Sequence, residues 1–213
     1  MSSILNTEQR DSRVFILEQA IPLFAAQGYR GVSMRDLSKA VGMSAAALYH
    51  HFPDKKTLYL EVMAHAFAGK TAVTAPALSV DSPPLQRLEC FIENLVSLLG
   101  SDPNYRALVQ WELLDDDETR LKLVAEQVFL EPFQAISALA EDLFSDSDPH
   151  MLAISMIGLV MYHFESAPMR AFLPGWRPEH SDPKAITQHL MQLLTRSLDS
   201  NPDDLPKDTR GGG

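Results

Sequence analysis

Apolar residues recur every three or four positions along most of this chain, the repeat expected of helices with one buried face. Val14, Leu17, Ile21 and Phe24 trace the first such face. Gly28 fits the position just past that helix, where a left-handed residue is wanted. Ser33 reads as an N-cap, with Asp36 three residues on in a capping-box arrangement, and a short second helix runs through Leu37 to Val41. Gly42 ends it. Ser44 caps a third helix from Ala45 to His51, Pro53 breaks the chain, and Asp54 caps a fourth helix carrying Leu58, Val62 and Phe67.

The periodicity is lost over residues 70–84, which read as a linker or a frayed helix end. It restarts with Leu85, Leu88, Ile92, Leu95 and Leu99. Pro103 fits the first turn of a sixth helix reaching Leu114. The carboxylates of Asp115, Asp116, Asp117 and Glu118 suit the start of a seventh, which Pro132 should kink. Pro149 opens an eighth helix that is apolar nearly all round, and Ile186, Leu190, Leu193 and Leu194 mark a ninth. Residues 201–213 are polar and rich in Pro and Gly, the pattern of a disordered tail. The expected fold is therefore all-α, with about nine helices and no strands. It divides into a three-helix N-terminal helix-turn-helix unit braced by a fourth helix, and a larger C-terminal helical domain.

Composition changes this picture little. A chain of 213 residues, 46% hydrophobic and 22% charged, has the makeup of a soluble globular protein. No segment reaches the roughly 18–20 apolar residues needed to span a bilayer. The longest candidate, Met151–Phe164, is shorter and contains Ser155, Gly158 and His163. Met1–Arg13 is polar and lacks the apolar run of a secretory signal. Cys90 is the only cysteine, so an intrachain disulfide is impossible, and it has no basic neighbour or second thiol to suggest a redox sensor. These features read as a cytoplasmic chain.

Charge matters more. The net charge of −10 is wrong for a nucleic-acid binder until its distribution is examined. Residues 1–68 hold seven basic and six acidic side chains, whereas the remainder holds eleven basic and twenty-two acidic. An acidic body repels a phosphate backbone, so DNA contact is confined to the N-terminal third.

The informative block runs from Gly28 to Lys55. It is two short helices joined by a tight turn containing Gly42, the layout of a helix-turn-helix whose second helix can lie in a major groove. Three alanines open that second helix, and small side chains let a backbone approach base edges and thymine methyls. Tyr49, His50, His51 and Lys55 follow with donors for phosphates. Ser33 and Ser44 mark helix starts whose N–H groups suit anions. A plain packing module would not explain why polar aromatic and basic residues gather after the short helix.

This block closely resembles the DNA-binding domain of the TetR family. The resemblance runs without gaps from Val14 to Leu60, roughly a fifth of the chain. Its signature is Phe24-x-x-x-Gly28-Tyr29, then Ser33-Met34-Arg35-Asp36-Leu37, Gly42-x-Ser44 and Leu48-Tyr49-His50-His51-Phe52-Pro53-Asp54-Lys55. The resemblance implies phosphate contacts from Tyr49, His51 and Lys55. It implies base contacts from Ala45, Ala46 and His50, and a base or phosphate contact from Arg35. Leu37, Val41, Leu48 and Phe52 would be core. Many members have longer polar residues where this chain has Ala45 and Ala46. More of the specificity then rests on Arg35, methyl contacts and DNA shape.

By the same resemblance the chain divides into a DNA-binding domain over 8–69, a linker over 70–84 and an effector-binding and dimerisation domain over 85–200. The segments Trp111–Glu118, Glu131-Pro132 and His163–Pro174 look like a recurrent C-terminal domain type of the family. Trp111, Glu112, Phe129, Phe133, Met156 and His163 are the candidate pocket residues, because helix-bundle pockets are lined by aromatics and Met with a few polar groups. Core packing is the competing reading for each aromatic and Met. For His163 the rival is a core or dimer-interface histidine. The implied partners are a palindromic double-stranded operator, a second copy of the chain paired through helices 150–166 and 183–198, and an unidentified small molecule. No cofactor, metal or membrane is implied. The expected function is a repressor released from DNA by a ligand. A DNA binder that activates, or that works through a protein partner, stays open. An enzyme is disfavoured, since no phosphate loop, nucleophile elbow or metal-ligand pair is present.

Overall fold

The computed structural model describes residues 2–74 and 82–199. Most of the expected linker, 75–81, and the expected tail, 201–213, lie outside the described residues. Every regular element among the described residues is helical. In chain order these are α1 (Ser2–Gly31), α2 (Met34–Ala40), α3 (Ala45–His51), α4 (Lys55–Thr74), α5 (Pro84–Ser101) and α6 (Pro103–Leu113). They are followed by α7 (Glu118–Val124), α8 (Leu130–Leu143), α9 (Pro149–Glu165), α10 (Ala167–Arg170) and α11 (Pro183–Asp199).

Most boundaries follow from local chemistry. Ser33 and Asp36 form the reciprocal capping box of α2. Ser44 Oγ accepts from Ala47 N–H at 3.2 Å to cap α3, and Asp54 accepts from Thr57 N–H at 2.7 Å at the start of α4. Asp102, Asp117 and Asp148 cap α6, α7 and α9, with Pro103 and Pro149 in the first turns that follow.

Three segments go beyond the expected set. Two are the four-residue α10 and a 3-10 turn over Pro178–Ser181. The other is a π turn over Ala125–Phe129 that separates α7 from α8. The kink expected at Pro132 thus falls on the turn before the proline. Pro132 has no N–H for the Val128 carbonyl, and its ring crowds that oxygen, so the helix loosens there.

Packing forms two apolar clusters that do not divide where the periodicity breaks. The first joins Ile16, Ala20, Phe24, Leu37, Leu48 and Phe52 to Leu58, Val62 and Phe67 of α4. It also takes in Leu108 and Val109 of α6, Val124 of α7 and Val128 of the π turn. The second packs α5 against α8, α9 and α11 through residues such as Phe91, Ile92, Ile136, Leu139, Met156 and Leu190. Helices α6 and α7 are therefore built into the core of the DNA-reading unit. One expectation about exposure is corrected. Val14 and Leu85 sit at exposed positions of their helices. The all-round apolar α9 buries only Ala153, Met156 and Val160, leaving Met151, Ile154, Leu159 and Tyr162 exposed.

The contact between α1 and α6 depends on Gly28. Its φ of 66° and ψ of 177° break the end of α1, in a region open to glycine alone. The Trp111 ring lies against it so closely that an added Cβ would stand 2.8 Å from two ring carbons. Trp111 Nε1 donates to the Ala25 carbonyl at 3.0 Å, one of the oxygens a helix end leaves without an intrahelical donor. Gly28→Ala therefore combines backbone strain of about 1–3 kcal/mol with a steric clash. Gly42, with φ 69° and open space around it, risks only the strain of about 1–2 kcal/mol for a left-handed alanine. Denaturant melts of the two alanine variants should rank Gly28→Ala as clearly the more destabilised. Equal losses would mean that Trp111 does not fix the α1–α6 approach.

Candidate DNA interface and effector cavity

The turn between α2 and α3 presents one helix outward and buries its other side. Leu37, Val41, Leu48 and Phe52 are buried, as expected of core. Ala45, Ala46, Tyr49 and His50 are exposed on α3, with Tyr49 half open to solvent. Arg35, Ser33 and Ser44 are exposed nearby. The geometry brings the expected base-facing residues onto one accessible helix.

Three expected contacts change. Lys55 is not a free phosphate donor. Its Nζ donates to the carbonyls of Tyr29 (2.9 Å) and Val32 (3.0 Å) and lies 4.2 Å from the centre of the Tyr29 ring. Burial, then the Arg120 charge, lowers the pKa of its ammonium. The side chain is a clamp between α4 and the α1–α2 turn. His51 is half-buried, with Nδ1 enclosed and unpartnered, and burial followed by His50 and Arg13 pushes its pKa down. Its backbone carbonyl accepts from Arg13, which also pairs with Glu61 at 2.5 Å and stacks on Phe52. At the start of α2 the Asp36 N–H is taken by Ser33 Oγ at 3.2 Å, and the N–H of Ser33 is also occupied. It donates to the Asp36 carboxylate at 3.1 Å, and bonds from the Ser33 side chain and backbone hold that carboxyl below its usual pKa.

Above this unit lies an apolar cavity of about 280 Å³ bounded by α4, α5, α6, α8, α9 and the π turn. Phe67, Phe91, Tyr105, Phe129, Phe133 and Ile157 are among its walls, and its charged lining residues are Lys70 and Glu112. Lys70 pairs with Asp102. Burial pushes the Tyr105 hydroxyl pKa up to about 12, so it stays a donor at neutral pH.

Of the six expected pocket residues, Glu112, Phe129 and Phe133 line this cavity. The other three do not. Trp111 faces α1, Met156 is fully buried in the second core, and His163 lies across the bundle with Arg170 and His189. Arg170 Nη1 is 3.2 Å from His163 Nδ1, and burial, then Arg170 and His189, lowers the histidine pKa. Lys70 was hidden because its segment reads as linker. Tyr105 and Phe67 were hidden because a helical stripe does not distinguish a core side chain from a cavity wall.

Beneath Glu112 is a buried ionic cluster. The Arg120 guanidinium, 1% exposed, bonds to Glu112 and Asp115 and is flanked by the rings of Tyr29 (4.6 Å) and Tyr59 (5.1 Å). The Tyr59 hydroxyl donates to the same Glu112 oxygen, and burial followed by that bond raises its pKa far above normal. Arg30 at the end of α1 reaches Asp116 and lies 3.8 Å from Asp115. The sequence pattern marks Glu112 as a pocket candidate and Asp115 as a helix start, but nothing in it joins either to Arg120. Among the described residues no His/Cys/Asp/Glu group could hold a metal, and no helix is long and apolar enough to cross a membrane.

Residues 16–62 match the family model of bacterial regulatory proteins of the tetR family. The HTH-type transcriptional repressor AcnR of Corynebacterium diphtheriae is 40% identical over 75 residues, 35% of this chain and 40% of its own length. The chain thus spans less than half the length of this curated relative. Two solved structures are similar over nearly the whole chain. One is AibR in complex with isovaleryl coenzyme A and operator DNA, with a TM-score of 0.67 at 22% identity, covering 86% of this chain and 97% of AibR. The other is the transcriptional regulator FadR of Bacillus subtilis in complex with stearoyl-CoA, with a TM-score of 0.70 at 15% identity, covering 85% of this chain and 96% of FadR. At those identities the likeness is one of fold. An exposed α3 seated on the expected core and the matched residues 16–62 show a tetR-type DNA-binding region in the N-terminal part, and the described remainder shares the fold of AibR and FadR.

Proposed function

We propose that this chain is a transcriptional repressor that binds a twofold operator as a homodimer and releases it when a small, largely apolar molecule occupies the cavity beside Glu112. The observation that carries the reading is α3, whose Ala45, Ala46, Tyr49 and His50 are exposed while its other side is locked into the core. The AcnR relative is named a repressor, which supports repression over activation. The relatives and similar folds are named as regulators, which favours a regulator over an enzyme. AibR and FadR hold thioesters with alkyl chains, and the phenylalanine and isoleucine walls suit an alkyl ligand here. Exposed Met151, Leu159 and Tyr162 of α9 and Leu193 of α11 are large apolar side chains, which supports pairing of these helices with a second copy. In that dimer the two α3 helices would meet successive major grooves if about 34–36 Å apart.

Selection of bound DNA from a random pool, followed by footprinting, tests the reading. A palindrome is expected, protected by two protomers. A monomer in sedimentation at micromolar concentration, or no selected sequence, would reject it. The residues separate by role. Tyr49→Phe should weaken operator binding with an unchanged melting temperature. Lys55→Met should lower the melting temperature, because the two carbonyls of Tyr29 and Val32 lose their donor, each loss being worth about 1–3 kcal/mol. A Lys55→Met variant of normal stability whose salt dependence falls by about one unit would instead return Lys55 to the phosphate contacts.

A further inference from the structure

Glu112 is 4% exposed and lines the apolar cavity. Its two carboxylate oxygens differ. Oε1 accepts from both the Tyr59 hydroxyl and Arg120, whereas Oε2 is buried with no hydrogen-bond partner. A carboxylate oxygen left dry is expensive in a protein interior, and native structures rarely tolerate it without a ligand, ion or water. We propose that Glu112 Oε2 is the recognition point for the cavity's ligand, and that this ligand carries a hydrogen-bond donor, a hydroxyl or an ammonium, on an apolar body. This rests on the ligand-released reading above and specifies which end of the ligand is read.

Size and polarity fit. At roughly 30 Å³ for each water-sized group, a cavity of 280 Å³ has room for about nine heavy atoms. The walls offer Phe67, Phe91, Phe129 and Phe133 to a hydrocarbon body. Lys70 does not offset the carboxylate at the far side, since it is already paired with Asp102. A ligand carboxylate brought to Glu112 would meet a like charge in a low-dielectric site.

The same residue explains how occupancy reaches the DNA. Glu112 holds Arg120, and Arg120 packs between Tyr59 of α4 and Tyr29 at the end of α1. The Tyr29 carbonyl and ring are gripped by Lys55, which also holds the Val32 carbonyl just before α2. A donor that draws Glu112 toward the cavity loosens its hold on Tyr59 and Arg120, and with it the seating of α1 and α4 beneath α3.

Three probes with one alkyl chain and different heads test this: n-octanol, n-octylamine and octanoate, titrated calorimetrically into the intact dimer. Octanol and octylamine should bind, and octanoate should bind about tenfold or more weakly, the scale of a hydrogen bond to a charged group. Preference for octylamine over octanol would identify the natural head as a cation, and the reverse as a hydroxyl. In Glu112→Gln the advantage of the donor heads over octanoate should shrink to within about threefold. Octanoate binding as well as octanol to the parent overturns the proposal without recourse to any variant. So does absence of saturable binding by all three. An unchanged head-group preference in a folded Glu112→Gln overturns it too, and points to water from a second, polar groove, which Glu112 lines together with Trp111, Asp115 and Arg120, as the partner of Oε2. Operator binding, followed by fluorescence anisotropy in the same titrations, separates the two readings. Glu112-dependent binding that leaves operator affinity unchanged keeps the recognition point and rejects ligand release.

Discussion

A guanidinium taken out of water must be matched by fixed acceptors, and in this protein that constraint falls on Arg120. Its charge is met by Glu112 and Asp115, and its faces by two tyrosine rings. Each partner belongs to a different part of the chain: α1, α4, α6 and the α6–α7 connection. None can move alone without uncovering a buried charge. Burial lowers the pKa of Arg120, but Glu112 and then Asp115 outweigh it, so the guanidinium stays charged. Replacing such a cluster with apolar side chains is often neutral for stability, so its worth here lies in tying four elements to one geometry.

That geometry explains why the chain is not two independent halves. Leu108, Val109, Val124 and Val128 fill the base of the N-terminal core, and Trp111 on the next turn seals the broken end of α1 at Gly28. The DNA-reading unit is completed by helices that also wall the cavity. A cavity contact at α6 is therefore within one side chain of α4 and of the end of α1. No long-range wire through the bundle is needed.

Much of the fold was legible because short-range rules set it. Ser33, Ser44, Asp54, Asp102, Asp117 and Asp148 cap helices through their own side chains, so each boundary is written within four residues. The outward side of α3 was legible for the same reason. Failures arose where a role depends on a distant partner. Lys55 sits in a run of polar residues that suggests phosphate contact, yet its carbonyl acceptors lie 26 and 23 positions away. Trp111 reads as a pocket aromatic, but its acceptor is Ala25, 86 positions away. The apolar run in α9 could not say which side faces the bundle, and Met156 took the core side. Glu112 was singled out as polar in an apolar setting. What the pattern could not supply was Arg120, since an arginine eight residues on in another helix reads as surface charge.

The energetics of the proposed release follow from dividing the ligand into body and head. The apolar body contributes most of the affinity, at about 0.8 kcal/mol per buried methylene. If the cavity keeps its shape in both conformations, that contribution is the same in each and shifts nothing. The head differs, because its bond to Oε2 depends on where Glu112 sits, and Oε1 ties that position to Tyr59 and Arg120. A hydrogen bond to a charged group is worth about 1.5–3 kcal/mol, and that difference is available to separate the two states. It falls within the about 1–3 kcal/mol typical of coupling between sites. The proposed homodimer would carry two such sites, so the coupling per operator would be doubled when both are filled. Under the proposed release, moderate discrimination by one carboxylate oxygen in each protomer would then suffice to move such a dimer off its site.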